Sequence, residues 1–341
     1  MRPNAADQLI VGIDGGNSKT DVVLATADGH LLGWLRTTGS NPQAIGLAAT
    51  NRLIRTAIDS LLGSAQRPGV ELSVLSLCMA GIDTPRDAEA VRSALRERGE
   101  RSLAQRIATR NDSEAGLRVA TDDGVGIALV GGAGVNAIGV NERGVDARFA
   151  ALGDISGDFG GGGGIAVAGV GAAVRAEERR GPKTSLGRAI LASTGHSSLR
   201  ELLDAILDGT FDQDRISALA PVVLQQSERG DRVAREIEAY MIKHAVAYAT
   251  ASQLRAPIKR RPIPIVFIGG TLNAPLRGYQ ARVRSALRAA LPPIDVRPLR
   301  AAPALGALLY ALDAAEPRLS QRLIAEEKLR VSFTRVKPRS A

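Results

Sequence analysis

Cysteine is nearly missing from this 341-residue chain, where Cys78 stands alone. A single thiol can form no disulfide within the chain, and it cannot hold an iron–sulfur cluster unless another chain supplies ligands. Set among Val74, Leu75, Leu77 and Met79, it reads as a small apolar residue on a buried strand. Aromatic residues are scarce too, at 3%, and none is interleaved with the basic positions. The stacking platforms of nucleic-acid binders are therefore absent from the pattern. No uninterrupted apolar run approaches the roughly 20 residues that span a bilayer, and the first eight residues carry no apolar core of a targeting signal. Acidic side chains are in the minority, 35 against 44 Lys and Arg, for a net charge of +9. The arginines alternate with acids along helical stretches, as a solvated surface does. The expectation is a cytoplasmic protein with no membrane or nucleic-acid partner.

What the chain does have is 37 glycines in a composition that is 45% hydrophobic, enough length for two domains built from small and branched aliphatics. The chain is organised around residues 9–24. An apolar strand ends in Asp14-Gly15-Gly16, the polar residues Asn17, Ser18, Lys19 and Thr20 follow, and a second apolar strand leaves. A β-branched run broken by Gly-Gly is a hairpin signal. Glycines let a ligand approach the backbone, and amide, hydroxyl and ammonium groups at such a tip suit phosphate oxygens. Asp14, at the end of the first strand, is a carboxylate that an Mg²⁺ carried on phosphates could use. Neither a P-loop nor a Rossmann turn fits, because strand rather than helix follows the glycines.

Asp28-Gly29 marks the next turn and 30–37 a third strand, so the chain opens with an antiparallel meander. The spacing then predicts a helix over 44–62, a strand at 72–79, a helix over 87–98, a short strand at 106–110, the loop Asn111 to Glu114 and a helix over 115–120. A second meander follows, with a strand at 125–130, a glycine tip at 131–134, a strand at 135–140, the turn Arg143-Gly144 and a strand at 145–150. Strand, glycine tip, strand, turn, strand recurs in that order, the mark of an internal duplication. Five glycines, 160–164, precede a predicted helix over 165–179 and read as a ligand-apposed helix N-terminus. Residues 185–208 and 213–254 read as helical, with Tyr240 and Tyr248 in the apolar series of the latter. A buried strand at 263–268 runs into Gly269-Gly270-Thr271, where a ligand lying across strand ends would meet it. A helix over 275–290, a strand at 294–298 and a helix starting near Pro303 close the pattern, and a charged tail begins at 319.

Three glycine turns after strands, a duplicated meander and a lone Asn-Asp pair resemble the actin-like ATPase superfamily, which includes sugar kinases and Hsp70. More closely, Gly12-Ile13-Asp14-Gly15-Gly16-Asn17-Ser18-Lys19-Thr20, Asn111-Asp112, Gly157-Asp158-Phe159-Gly160 and Gly269-Gly270-Thr271 resemble the BadF/BadG/BcrA/BcrD-type ATPase family, in the branch that holds N-acetylglucosamine kinase. The resemblance implies an α/β, actin-like (ribonuclease H-like) fold of two duplicated domains with an ATP cleft between them. It places the domains at 1–115 and 116–318, with a helix near 303–314 packing back on the first, and leaves 319–341 as tail. It further implies ATP and Mg²⁺ as cofactors and an amino sugar as acceptor, with a homodimer left open. Gly15, Gly16, Asn17, Ser18, Lys19 and Thr20 would hold phosphate together with Gly132, Ala133 and Gly134, while Gly269, Gly270 and Thr271 would lie against adenosine and Asp14 would serve the metal.

Asp112 would be the general base, although Asn111-Asp112-Ser113 also suits a helix N-cap. Asn41, Asn136 and Asp158 would contact the sugar, since amides and carboxylates match hydroxyls that both donate and accept. For Asn41 and Asn136 the competing reading is a turn residue bonding its own backbone. Two departures from the family pattern stand out. The second tip reads Gly-Ala-Gly-Val-Asn where Gly-Thr-Gly-Ser is usual, and Asp158-Phe159-Gly160-Gly161 replaces the usual Asp-Glu-Gly-Ser. Two alternatives remain at this level: an activator ATPase of a dehydratase or reductase, disfavoured because its cluster needs at least two cysteines per chain, and a non-catalytic nucleotide or sugar sensor.

Overall fold

The computed structural model describes residues 4–96 and 102–340, and the chain divides into two units. One runs to Val125 and resumes at Pro298; the other is Gly126–Arg297.

In the first unit β1 (Leu9–Gly15), β2 (Lys19–Thr26) and β3 (Leu31–Thr38) form the meander, followed by α1 (Pro42–Ile45), α2 (Leu47–Ser64), β4 (Leu72–Met79), α3 (Pro85–Leu95), β5 (Ala104–Asn111) and α4 (Asp112–Ala120). β4 and β5 join β1 in parallel, for an order β3-β2-β1-β4-β5. Alternation then sends side chains to two covered faces. Val11 and Ile13 meet Ile54, Ile58 and Leu62 of α2 with Val91 and Leu95 of α3. Ile10 and Val74 face the opposite layer, which comes from the far end of the chain.

The second unit repeats the order. β6 (Gly126–Gly131), β7 (Val135–Val140) and β8 (Asp146–Arg148) form its meander; α5 (Gly162–Glu177), α6 (Leu186–Thr194), α7 (Leu199–Leu207), α8 (Gln213–Ser217), α9 (Ala220–Glu228) and α10 (Arg232–Arg255) precede β9 (Ile263–Ile268), α11 (Arg277–Ala290) and β10 (Ile294–Arg297). Its sheet runs β8-β7-β6-β9-β10, strand for strand the order of the first. The duplication expected from the glycine-tip pattern is thus present as topology.

The chain then returns to the first unit with α12 (Pro303–Ala314), α13 (Leu319–Phe333) and β11 (Arg339–Ser340). Leu305, Leu308, Leu309 and Leu312 of α12 pack on Ile10 and Val74, with Leu329 and Phe333 of α13 in the same cluster. Burial of each such aliphatic contributes about 1.5–3 kcal/mol. α12 lies so close that a Cβ on Gly12 would sit 2.2 Å from the Leu308 nitrogen. Only glycine permits that approach. The first unit also keeps the whole helix that starts at Asp112, which a boundary at 115/116 would divide. The expected tail is in fact a helix and a short edge strand of this unit.

Glycines break three of the expected helices. The 44–62 span is split at Gly46 (φ +81°), 185–208 at Gly195 (φ +77°) and 213–254 at Gly230 (φ +97°), positive-φ backbone that no helix interior accepts, and 213–254 breaks a second time, without a glycine, at Ala218-Leu219. The expected strand at 145–150 shrinks to β8, and the end of the 87–98 helix lies outside the described residues. Among the described residues no helix is long and apolar enough to cross a membrane.

Candidate active site

Two carboxylates meet at the C-terminal ends of the first unit's parallel strands. Asp14 ends β1 and stands in register with Cys78 of β4, which is in register with Arg110 of β5; Asp112 follows two residues on, at the first position of α4. Asp14 is half-buried, and its carboxylate makes no side-chain hydrogen bond among the described residues. Burial, then the charges of Asp112 and Asp21, push its carboxyl up to about 7, against the lowering pull of Lys19 and Arg36. Asp112 is raised to about 6, first by burial; the main-chain N–H of Ser113 pulls it down and Asp83 pushes it up. Two poorly solvated like charges favour a cation beside one and a proton on the other.

The capping role falls to Asn111. Its side-chain oxygen accepts from the Ser113 N–H at 3.1 Å, and Glu114 returns the favour to the Asn111 N–H at 3.2 Å. Asp112 is therefore free of that duty.

At the first tip Asn17, Ser18 and Lys19 are exposed, whereas Thr20 is fully buried with no hydrogen-bond partner for its hydroxyl. That revises the expectation for Thr20, which sits beneath the tip instead of on it. The 39–41 loop packs against the tip: the Ser40 N–H donates to the Gly16 carbonyl at 3.1 Å, and a Cβ on Gly15 would lie 2.5 Å from Ser40 Oγ. Asn41 caps α1 by accepting from the Gln43 N–H at 2.8 Å and donates to Asn17 Oδ1 at 2.6 Å. Both of its polar atoms are thus engaged by the turn, the competing reading given above.

In the second unit three glycine segments converge, although more than a hundred residues separate the first from the last. The Gly162 and Gly163 N–H groups donate to the Gly132 and Ala133 carbonyls at 2.7 and 3.1 Å. The Thr271 N–H reaches the Gly131 carbonyl at 2.9 Å, and its hydroxyl lies 2.7 Å from the Gly131 oxygen and 3.2 Å from that of Gly160. Thr271 is consequently a tie between segments, and the first N–H groups of α5 are spent on the tip, not held out to a ligand. A Cβ on Gly269 (φ +89°) would meet the Gly131 carbonyl oxygen at 2.3 Å. In contrast, Gly132, Gly134 and Gly270 face open space. Those three present bare main chain, the surface a phosphate or a nucleotide requires.

With strand ends, carboxylates and glycine corners in this arrangement, a comparison with known families is decisive: the BadF/BadG/BcrA/BcrD ATPase family matches residues 11–311. The chain belongs to that family. Membership in an ATPase family implies use of ATP. Among similar proteins, an N-acetylmuramic acid/N-acetylglucosamine kinase of Clostridium acetobutylicum is 26% identical, with 89% of this chain and 98% of the relative covered. An N-acetyl-D-glucosamine kinase of Dictyostelium discoideum is 25% identical, over 90% and 98%. A solved structure from Chromobacterium violaceum, described as a candidate N-acetylglucosamine kinase, superposes with a TM-score of 0.62 at 21% identity over 89% of this chain and 98% of the other. That likeness establishes the shared fold.

Two residues of this ATPase-family chain escaped sequence reasoning. Asp21, directly across from Asp14, is neutralised by Arg36 through two 2.8 Å hydrogen bonds and also accepts from Trp34 Nε1 at 3.1 Å. Its charge is thereby tied up, which leaves Asp14 as the uncommitted carboxylate. The second is Tyr248 on α10, whose hydroxyl donates to Asp158 and whose own pKa is pushed up by burial and by that carboxylate. Asp158 also accepts from Ser156 Oγ. Asn136 lies half-buried on β7, lining with Phe159 and Tyr248 a crevice only large enough for one water, and its side-chain oxygen accepts from the Ala137 N–H at 2.7 Å.

Proposed function

We infer that the chain is an ATP-dependent kinase that moves the γ-phosphoryl group to the 6-hydroxyl of an amino sugar, N-acetylglucosamine or a close relative. The observation that carries the reading is the pair Asp14 and Asp112: two recessed carboxylates on one set of strand ends, one without a side-chain hydrogen bond and one at the first position of α4, whose cap is supplied by Asn111.

The residues present fit Mg²⁺·ATP. Among the described residues no cluster of three or more His, Cys, Asp or Glu side chains is arranged to hold a metal. A metal here would therefore arrive on phosphate, as Mg²⁺ usually does, and Asp14 with its unmet need for a cation would hold it directly or through water. Asn17, Ser18 and Lys19 would contact phosphate in the first unit, and the main chain at Gly132, Ala133, Gly134 and Gly270 would meet the nucleotide in the second. When bound, the ion supplies charge neutralisation for phosphoryl transfer.

The chemistry assigned to the chain itself is proton transfer and positioning. Asp112, ionised above about pH 6, accepts the proton of the sugar's primary hydroxyl as its oxygen attacks in line, a role typically worth 10²–10⁴ in rate. Asn111 holds the start of α4, and so the Asp112 main chain, through its cap. Asp158, fixed by Tyr248 and Ser156, and Asn136 offer the polar atoms that sugar hydroxyls need. Names carried by two relatives at 25–26% identity support the sugar class.

The test is a panel of N-acetylglucosamine, glucosamine, N-acetylmannosamine, N-acetylmuramic acid and glucose with ATP, read by ADP release and by phosphorus NMR of the product. We expect a phosphomonoester on carbon 6 of an amino sugar. Release of ADP that no sugar stimulates would overturn the assignment.

A further inference from the structure

The chain has only ten Phe, Tyr and Trp residues, yet four of them gather with a histidine around Asp158. Tyr240, His244 and Tyr248 lie four residues apart on α10 and so share one face. Phe159 meets that face, with ring centroids 4.9 Å from Tyr240 and 6.0 Å from His244, and the two α10 rings stand 4.6 Å apart in an edge-to-face arrangement. At the other end Phe149 packs edge-on to Tyr248 at 5.0 Å. The wall is graded: Tyr248 is 8% exposed and donates to Asp158, whereas Tyr240 is 50% exposed. A core stripe would be closed along its whole length; this one is closed at Tyr248, which holds Asp158, and opens to solvent at Tyr240, about two helical turns away beside Phe159.

A carboxylate next to aromatic faces is the chemistry that binds carbohydrate, the acid taking hydroxyls and the rings taking the C–H face of a pyranose or an apolar substituent. By the resemblance Phe159 stands where glutamate is usual, so an aromatic ring packed on Tyr240 and His244 takes the place of a charge. We propose that Phe159 and Tyr240, backed by His244, form a subsite for a C–H-rich group attached to the amino sugar, so that the preferred acceptor is a substituted hexosamine. The inference rests on the sugar-kinase reading for the place of the acceptor, but its test does not depend on turnover. The group could be a second pyranose ring or an ether-linked acyl chain, and the two sources are separated by the ligands used.

Calorimetric titration of the full chain with N-acetylglucosamine, N,N′-diacetylchitobiose and N-acetylmuramic acid reads the subsite directly. At least one substituted sugar is expected to bind about tenfold more tightly than N-acetylglucosamine. Tyr240→Ala, a change at a half-exposed position, is expected to erase that advantage while moving the N-acetylglucosamine affinity less than about twofold, and Tyr240→Phe to restore it. Phe159→Leu provides a second variant with the same expected loss. Equal binding of substituted and bare sugars, or an advantage that survives both Tyr240→Ala and Phe159→Leu, would overturn the subsite. Binding with this pattern but no phosphoryl transfer would uphold the subsite and remove the kinase reading, and binding of no sugar at all would remove both.

Discussion

At the scale of single residues the account turns on two carboxylates, and the sequence showed one more clearly than the other. Asp14 was legible because a charged residue ending an apolar strand before Gly-Gly has few structural uses. Asp112 was ambiguous between base and cap, and only the geometry of Asn111 assigns the cap elsewhere. Asp21 was illegible, because its neutralisation by Arg36 and its hydrogen bond from Trp34 depend on the register of β2 and β3. The strained member of the group is Asp14, and its energetics have a definite sign. Its folded pKa, about 7, lies above the ordinary 3.8, so its contribution is most favourable below pH 4 and is lost as pH rises toward 7. Asn, neutral throughout, escapes that loss. Asp14→Asn without nucleotide is therefore expected to raise stability by on the order of 1–3 kcal/mol at pH 8, with little gain at pH 4, while abolishing turnover. Denaturant unfolding at the two pH values checks this, and equal or lower stability of the variant at pH 8 would refute it.

At the scale of elements, the strands at 72–79 and 135–140 were read to the residue, since a short apolar run bounded by turn signals admits few alternatives. Helices were read too long wherever a glycine adopts positive φ, as at Gly46, Gly195 and Gly230, because a helical spacing on both sides hides the break. The five-glycine run was seen, but its use was not: those glycines allow α5 to dock by its backbone on the second tip. α13 was missed for a different reason. Its buried residues Ala325, Leu329 and Phe333 are spaced four apart, but Leu319, Leu323, Ile324 and Val331 are exposed on the same helix and blur the stripe. Among element contacts, the seat of α12 on β1 has little tolerance. A methyl group at Gly12 would press into the Leu308 backbone, so Gly12→Ala is expected to cost about 1–3 kcal/mol as overpacking does, seen as a lower melting temperature. An unchanged midpoint would mean α12 can shift freely.

At the scale of the whole molecule, the repeated order of strand, glycine tip and strand announced two like units, and each sheet has that common topology. What the repeat could not announce is that the chain's last helices return to the first unit. The family match stops at 311, yet α13 beyond it is bound through a buried ionic network. Arg118 of α4, fully buried, donates to Asp313 at 3.0 Å and Glu326 at 2.8 Å, and Arg322 and Arg330 reach the same two acids at 2.8 and 2.7 Å. Removing one member of such a network strands the others, at about 3–5 kcal/mol. Arg118→Leu should thus lower the melting temperature by roughly 10 °C, and a midpoint within a degree of the wild type would show the network to be incidental. The central claim, that Asp112 takes the proton of an amino-sugar hydroxyl, is tested most directly by sugar-stimulated ADP release in Asp112→Asn. The account predicts a fall in kcat of at least about 100-fold with the KM for ATP nearly unchanged; sugar-stimulated turnover within a few-fold of the wild type would contradict it.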